Sequence, residues 1–191
     1  MNASTLLVNL KGEVERHSQT VQQLIPLSEE VLNKPAVDGG WSIAQCLEHL
    51  NRYGYFYLPE ISKGISSNLK DKQVAPEFHS SWLGAWFTKI LDPKRGKKKL
   101  KAFKKYIPPQ QLNAHDVLNT FLHQQTQLKE LLTQADNVDL NRVKISVSIS
   151  PFVKLKLGDV FQFFIAHNER HLLQALRNVK KGSAQYSIDS L

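Results

Sequence analysis

The chain has a single cysteine, Cys46, which excludes an intramolecular disulfide and fits a reducing compartment, so a cytoplasmic location is expected. It has no apolar run of 18 residues, so no segment reads as a membrane span. The N-terminal stretch MNASTLLVNLKGEVERH turns polar early and lacks a basic start, and a secretory signal is not expected. There is no Gly-rich phosphate loop and no nucleophile elbow, which removes the commonest signatures of nucleotide hydrolysis and serine chemistry. Internal repeats and low-complexity linkers are also missing. What remains is one domain over residues 1–191, long enough to bury about 70% of its unfolded surface.

The net charge of +8 suggests nucleic acid until it is located. Residues 94–105 carry eight basic side chains (Lys94, Arg95, Lys97, Lys98, Lys99, Lys101, Lys104 and Lys105) and no acid. Without them the chain has 17 basic residues against 17 acidic ones, so the excess belongs to one segment and not to a basic fold. The run reads as a solvated loop, and nucleic acid is not expected as a partner.

Hydrophobic periodicity supplies the elements. Residues 3–25 carry Leu7, Leu10, Val14, His17, Val21 and Leu24 at spacings of three and four, an amphipathic helix that Pro26 ends. A connection follows, with a turn of helix expected at 28–32 and the pair Gly39-Gly40 at its close. Ser42 and Gln45 form a capping-box pattern, with Trp41 placed to staple onto Cys46, and a second helix is expected from there to about Asn68. Ile43, Leu47, Leu50, Gly54, Tyr57 and Ile61 make its buried stripe, flanked by Cys46, His49, Tyr53 and Phe56. Residues 71–114 read as a long crossover carrying a short helix at 80–91, whose Trp82, Trp86 and Ile90 are expected to cover the bundle or a subunit interface. A third helix spans about 114–135, with Val117, Phe121, Gln125, Leu128 and Leu132 on one face. The alternation in KISVSIS predicts a strand-like loop over 143–155 stopped by Pro151, and a fourth helix runs from about Leu157 to Lys180. Four long amphipathic helices in one domain predict an all-α helical bundle with a crossover between helices two and three.

The chemistry concentrates in the last helix. His167 and His171 are four residues apart, so both imidazoles leave nearly one face, about 6 Å apart along the axis. Two ring nitrogens in that geometry can close on one metal ion; a hydrogen-bonded pair of core histidines is the other reading. Gln174 continues the face. His49 lies about 10 Å into helix two and His17 about 12 Å before the end of helix one, which puts them at one level if the two helices run antiparallel. His17 occupies a seam position on which an apolar residue would be expected. It could ligate a metal, line a pocket as a proton acceptor, or face solvent if the helix is rotated. Tyr53 follows His49 by one turn and could donate to a bound substrate or simply pack; Gln125 is a candidate partner for His17. Glu169, two residues from each histidine of the pair, is expected to point away and to pair with Arg170 or Arg177. His79, His115 and His123 have no partner spacing.

Asn33-Lys34-Pro35, then Gly39-Gly40-Trp41-Ser42-Ile43 and His49-Leu50, resemble the opening of DinB-like (YfiT-type) bundle proteins. Ser150-Pro151-Phe152 leading to Phe164-Ile165-Ala166-His167-Asn168-Glu169-Arg170-His171 and Gln174 resembles their closing helix. The start of that helix departs from the pattern, offering Lys156-Leu157-Gly158-Asp159 where relatives often cap with Thr. The resemblance implies an up-down-down-up four-helix bundle. It also implies a divalent metal, nickel or zinc, held by His49, His167 and His171; Tyr53, Gln125 and Gln174 are candidates, from their positions, to hydrogen-bond a ligand or line the pocket. It further implies a metal-dependent enzyme of the hydrolase or thiol-transferase type, acting on a small molecule with a low-molecular-weight thiol as a candidate partner. A non-catalytic bundle with a structural metal, an adaptor binding an acidic partner through 94–105, and a homodimer are the alternatives that the sequence leaves open.

Overall fold

The computed structural model describes residues 1–69, 74–94 and 101–186. Arg95, Lys97, Lys98 and Lys99 of the basic run lie outside them. Four long helices dominate: α1 (Ala3–Gln22), α3 (Ile43–Ser66), α5 (Ala114–Gln134) and α6 (Leu157–Tyr186). Two short ones, α2 (Glu29–Asn33) and α4 (Trp82–Leu91), lie in the connections.

Local chemistry sets the helix starts. Asn2 Oδ1 accepts from the Thr5 N–H at 2.9 Å, satisfying one of the open donors of α1. Ser42 and Gln45 make the reciprocal capping box at α3, and Asn113 caps α5. α1 stops at Gln22, and α3 continues through Pro59 to Ser66.

The apolar core forms two clusters. One joins Ala3–Val14 side chains of α1, Tyr57–Ile65 of α3, Leu128–Leu132 of α5 and Leu157–Ile165 of α6. The other joins Val21 and Leu24, Ile43–Leu50 of α3, Ala114–Phe121 of α5, and Leu172 and Ala175 of α6. Thus α1 and α6 begin in the first cluster and end in the second, while α3 and α5 run the other way. Between the clusters each long helix contributes buried polar side chains: His17, His49 and Asn51, Gln124 and Gln125, His167 and Asn168. A polar layer in mid-bundle requires internal partners, and that requirement places the site.

The segment 143–155 departs from the expected loop. It forms an antiparallel hairpin of β1 (Lys144–Val147) and β2 (Ser150–Lys156), pairing Lys144 with Lys156 and Ile145 with Leu155, with a register shift at Ser146/Val147. The protein is mostly helical as expected, and the bundle carries this small hairpin in addition. Pro151 does not stop the strand; a two-stranded sheet consists of edges, where a missing N–H is tolerated. Tyr57 ties the hairpin to α3, its hydroxyl donating to Ser148 Oγ at 3.1 Å and accepting from the Ser148 N–H at 3.0 Å.

The face with which α4 covers the bundle is also corrected; the exposure of Trp82 and Trp86 leaves the subunit-interface alternative as it stood. Trp82 is 81% exposed and Trp86 46%, and the helix instead packs Leu83, Phe87 and Leu91 onto the core. The reason is a polar anchor at its start. Ser80 Oγ, the Ser81 N–H (3.1 Å) and Ser81 Oγ (2.6 Å) all donate to the buried Asp159 carboxylate in the first turn of α6, which fixes the rotation of α4. A Cβ at Gly84 of α4 would overlap that carboxylate. Gly84→Ala should therefore destabilise the fold by about 1–3 kcal/mol in urea unfolding, because it overpacks a hydrogen-bonded acid. An unchanged midpoint would show that α4 is not held at this point.

Candidate metal centre

His49 is set by the register that the capping box gives α3, and His167 and His171 lie one turn apart on α6. The structure brings the three together: one ring nitrogen from each lies within 4.8 Å of the other two. His49 Nε2 and His167 Nε2 are 3.3 Å apart. Two imidazole nitrogens on one tetrahedral ion at about 2.0–2.1 Å would be separated by about 3.3 Å. His49 and His167 are buried and His171 is partly exposed.

Hydrogen bonds fix which nitrogens are free. The Tyr106 carbonyl can only accept, so His49 Nδ1–H donates to it at 2.8 Å and Nε2 is left with its lone pair. His171 Nδ1 is 3.1 Å from Gln174 Oε1 and donates there, which leaves its Nε2 free in the same way. This is the arrangement in which a metal-binding imidazole hands its other N–H to an oxygen, so that ring orientation and tautomer are both set. Burial holds all three imidazoles neutral. It pushes the His49 pKa down to about 4, His171 to about 3, and His167 well below the ordinary value, where the neighbouring histidines lower it further. Neutral nitrogens with lone pairs converging on one point are the donor set that a zinc-like ion takes.

Aromatic rings close the surroundings. Tyr53 lies edge-on to His49 (5.0 Å between centroids) and His167 (4.7 Å), and stacks on Tyr106 at 3.9 Å. Trp41 meets His49 at 4.7 Å and stacks on His171 at 5.7 Å, while also packing against the cluster that includes Cys46. The Tyr106 turn is held in turn by Arg52, whose Nη1 donates to the carbonyls of Lys105 (3.3 Å) and Ile107 (3.0 Å), with Glu48 accepting from its Nε at 2.8 Å. Sequence reasoning missed Tyr106 and the imidazole contacts of Trp41. The contact from Tyr106 comes from a backbone oxygen just after the basic segment, which no side-chain pattern reports.

The remaining candidates lie elsewhere. His17 is buried as its seam position implies, but its Nε2 is 2.9 Å from Glu169 Oε2, and it groups with Glu13 and Glu169 rather than with the three histidines. The expected pairing of Glu169 with Arg170 or Arg177 is thereby corrected. Glu169 does point away from the three histidines, but that face of α6 packs on α1, where the nearest polar group is an imidazole. The contact holds the Glu169 carboxyl below its ordinary pKa. Gln125 is buried on α5, with its Oε1 unpartnered among the described residues. Cys46 is fully buried, its thiol pushed up to about 12 by desolvation. His79 and His123 are exposed.

No curated protein matches the chain. Among solved structures it resembles YfiT from Bacillus subtilis, described as a probable metal-dependent hydrolase with an unusual four-helix bundle topology. The match covers 93% of this chain and 87% of that one at a TM-score of 0.56 and 12% identity, which is a likeness of fold. The DinB superfamily pattern matches residues 13–175, from within α1 to Ala175 of α6, and so includes His49, His167 and His171. The chain belongs to the DinB superfamily.

Proposed function

We propose that the chain is a single-domain, divalent-metal-dependent hydrolase wound up-down-down-up, with zinc or nickel held by His49, His167 and His171. The observation that carries the reading is the pair of carbonyl-fixed tautomers, which leaves a bare nitrogen on His49 and one on His171 in a group whose ligand atoms lie within 4.8 Å of one another. The opposed directions of α1/α6 and α3/α5 through the two core clusters support the topology. The description of YfiT as a probable metal-dependent hydrolase supports the reaction class.

Three neutral imidazoles leave at least one position of a tetrahedral ion for water or substrate, as in catalytic rather than closed structural sites. A bound ion would supply Lewis acidity, lowering the pKa of a coordinated water and polarising a substrate oxygen. The residues of this chain have definite parts. Tyr106 O and Gln174 Oε1 hold the N–H protons of His49 and His171, so these imidazoles cannot themselves accept a proton while they ligate. Tyr53 and Trp41 present apolar ring surface that excludes water from the metal's sides. A low-molecular-weight thiol would have to be brought by the substrate, because the protein's own thiol is buried and protonated. Hydrolysis without added thiol separates the hydrolase from a thiol transferase.

Two outcomes test the assignment. His49→Ala, His167→Ala and His171→Ala should each abolish stoichiometric zinc or nickel binding, read by metal analysis of untagged protein, while far-UV circular dichroism stays helical. Full occupancy after any one replacement would remove that residue from the site. The pH dependence has a fixed sign. The folded pKa values lie below the unfolded value of about 6.5, so the unfolded chain binds more protons between the two. The metal-free protein should therefore lose stability as pH falls from about 6.5 towards about 4, and metal should dissociate over the upper part of that range. His49→Gln should flatten the profile. A stability curve that is level from pH 7 to 4 in the parent would contradict buried neutral imidazoles.

A further inference from the structure

The outward face of the hairpin combines charge of one sign with an exposed aromatic ring. The register pairs Lys144 with Lys156 and Ser146 with Lys154, so these side chains share the face opposite buried Ile145 and Leu155. Phe152 stands two residues before Lys154 on the same face and is 93% exposed. Ile149, at the turn, is 45% exposed. Residues 140–158 carry four basic side chains, Arg142, Lys144, Lys154 and Lys156, and no acid.

Contacts extend this face at both ends. At the turn, Lys105 Nζ donates to the Ser148 carbonyl at 2.9 Å, which brings alongside a segment with exposed Lys101, Phe103 and Lys104. At the other end, Lys156 Nζ donates to the His79 carbonyl just before α4, which packs beside β2 and leaves Trp82 81% exposed. The face also adjoins the metal centre, because Tyr106, next to Lys105, supplies the carbonyl that holds His49.

Exposed rings set among lysines match a surface that is negative at its boundary and apolar beneath it. Anionic lipid headgroups over acyl chains have that construction. Phe152, Ile149 and Trp82 supply the apolar part, while long lysine stems keep their ammonium groups at the headgroup level. A second copy of the chain fits less well, since a two-fold contact sets Lys144 and Lys154 against the same charges. Nucleic acid could stack on the rings, but it gains nothing from the aliphatic Ile149 at the turn. We propose that the outward face of the hairpin, flanked by the Phe103 segment and the start of α4, docks the protein on an anionic phospholipid surface. The face contains none of the three histidines, so docking is independent of the metal reading.

Co-sedimentation of full-length protein with phosphatidylcholine vesicles, with and without phosphatidylserine, tests this. The protein should bind only the vesicles that contain phosphatidylserine, and added salt should release it. Phe152→Ser should weaken partitioning about tenfold, and Lys144→Gln/Lys154→Gln about 25-fold, at about fivefold per lysine. All three side chains are exposed, so circular dichroism should match the parent. Binding that is absent, equal on both vesicle types, or unchanged in either variant would overturn the proposal. So would tighter binding to a single-stranded oligonucleotide than to phosphatidylserine vesicles, which would assign the face to nucleic acid.

Discussion

Three imidazoles in the middle of a helical bundle cannot all be charged, and the rest of this structure follows from keeping them neutral and correctly oriented. Desolvation costs an isolated buried ion several kcal/mol, so the fold holds the bases uncharged and supplies partners for their N–H groups. His49 gives its proton to Tyr106 O and His171 to Gln174 Oε1. Once those two protons are placed, His49 Nε2 and His171 Nε2 carry lone pairs, and His49 Nε2 stands 3.3 Å from His167 Nε2, a gap that a cation or the one N–H of His167 can fill. The polar centre is thus stable only as a receptor for a cation or as a tightly hydrogen-bonded cluster, and the tautomers favour the receptor.

The bundle distributes its materials accordingly. Apolar clusters lie on either side of the polar level, and each long helix crosses that level once. The long connection between α3 and α5 is not idle: it brings Tyr106 against His49, and Arg52 with Glu48 pins the turn that does so. Asp159 plays the corresponding part at the start of α6, where two serines of the same connection anchor α4. α6 is the element on which both polar constellations depend. It gives its histidines to one side and Glu169 to the other, and about half a turn of helix separates the two roles.

The legible parts of this fold are those that rest on periodicity. The seam of α1, the stripe of α3 and the pair His167/His171 repeat every three to four residues and could be placed on helix faces before any coordinates. The capping box put His49 at a definite height in α3, level with His17 if the helices are antiparallel; its joining the pair was implied by the family resemblance and not by that height. Contacts made by backbone or set by tertiary anchoring left no such trace. Tyr106 acts through its carbonyl, so its side chain announces nothing. Trp82 and Trp86 carry the helical spacing of a buried face, yet Ser81 and Asp159 turn them outward. The alternation in KISVSIS was visible, but Pro151 suggested an end where an edge strand could accommodate it. Glu169 was judged by its neighbours in sequence, Arg170 and Arg177, when its partner comes from a helix 152 residues away.

X-ray absorption at the metal edge of zinc- or nickel-loaded protein addresses the three-imidazole centre most directly, because it counts ligands and identifies imidazole by its outer-shell scattering. The account predicts three nitrogen ligands of imidazole type at about 2.0–2.1 Å in the zinc form, with the remaining ligand a light atom from water. A spectrum with an oxygen-only shell, or with fewer than three imidazoles, would contradict it.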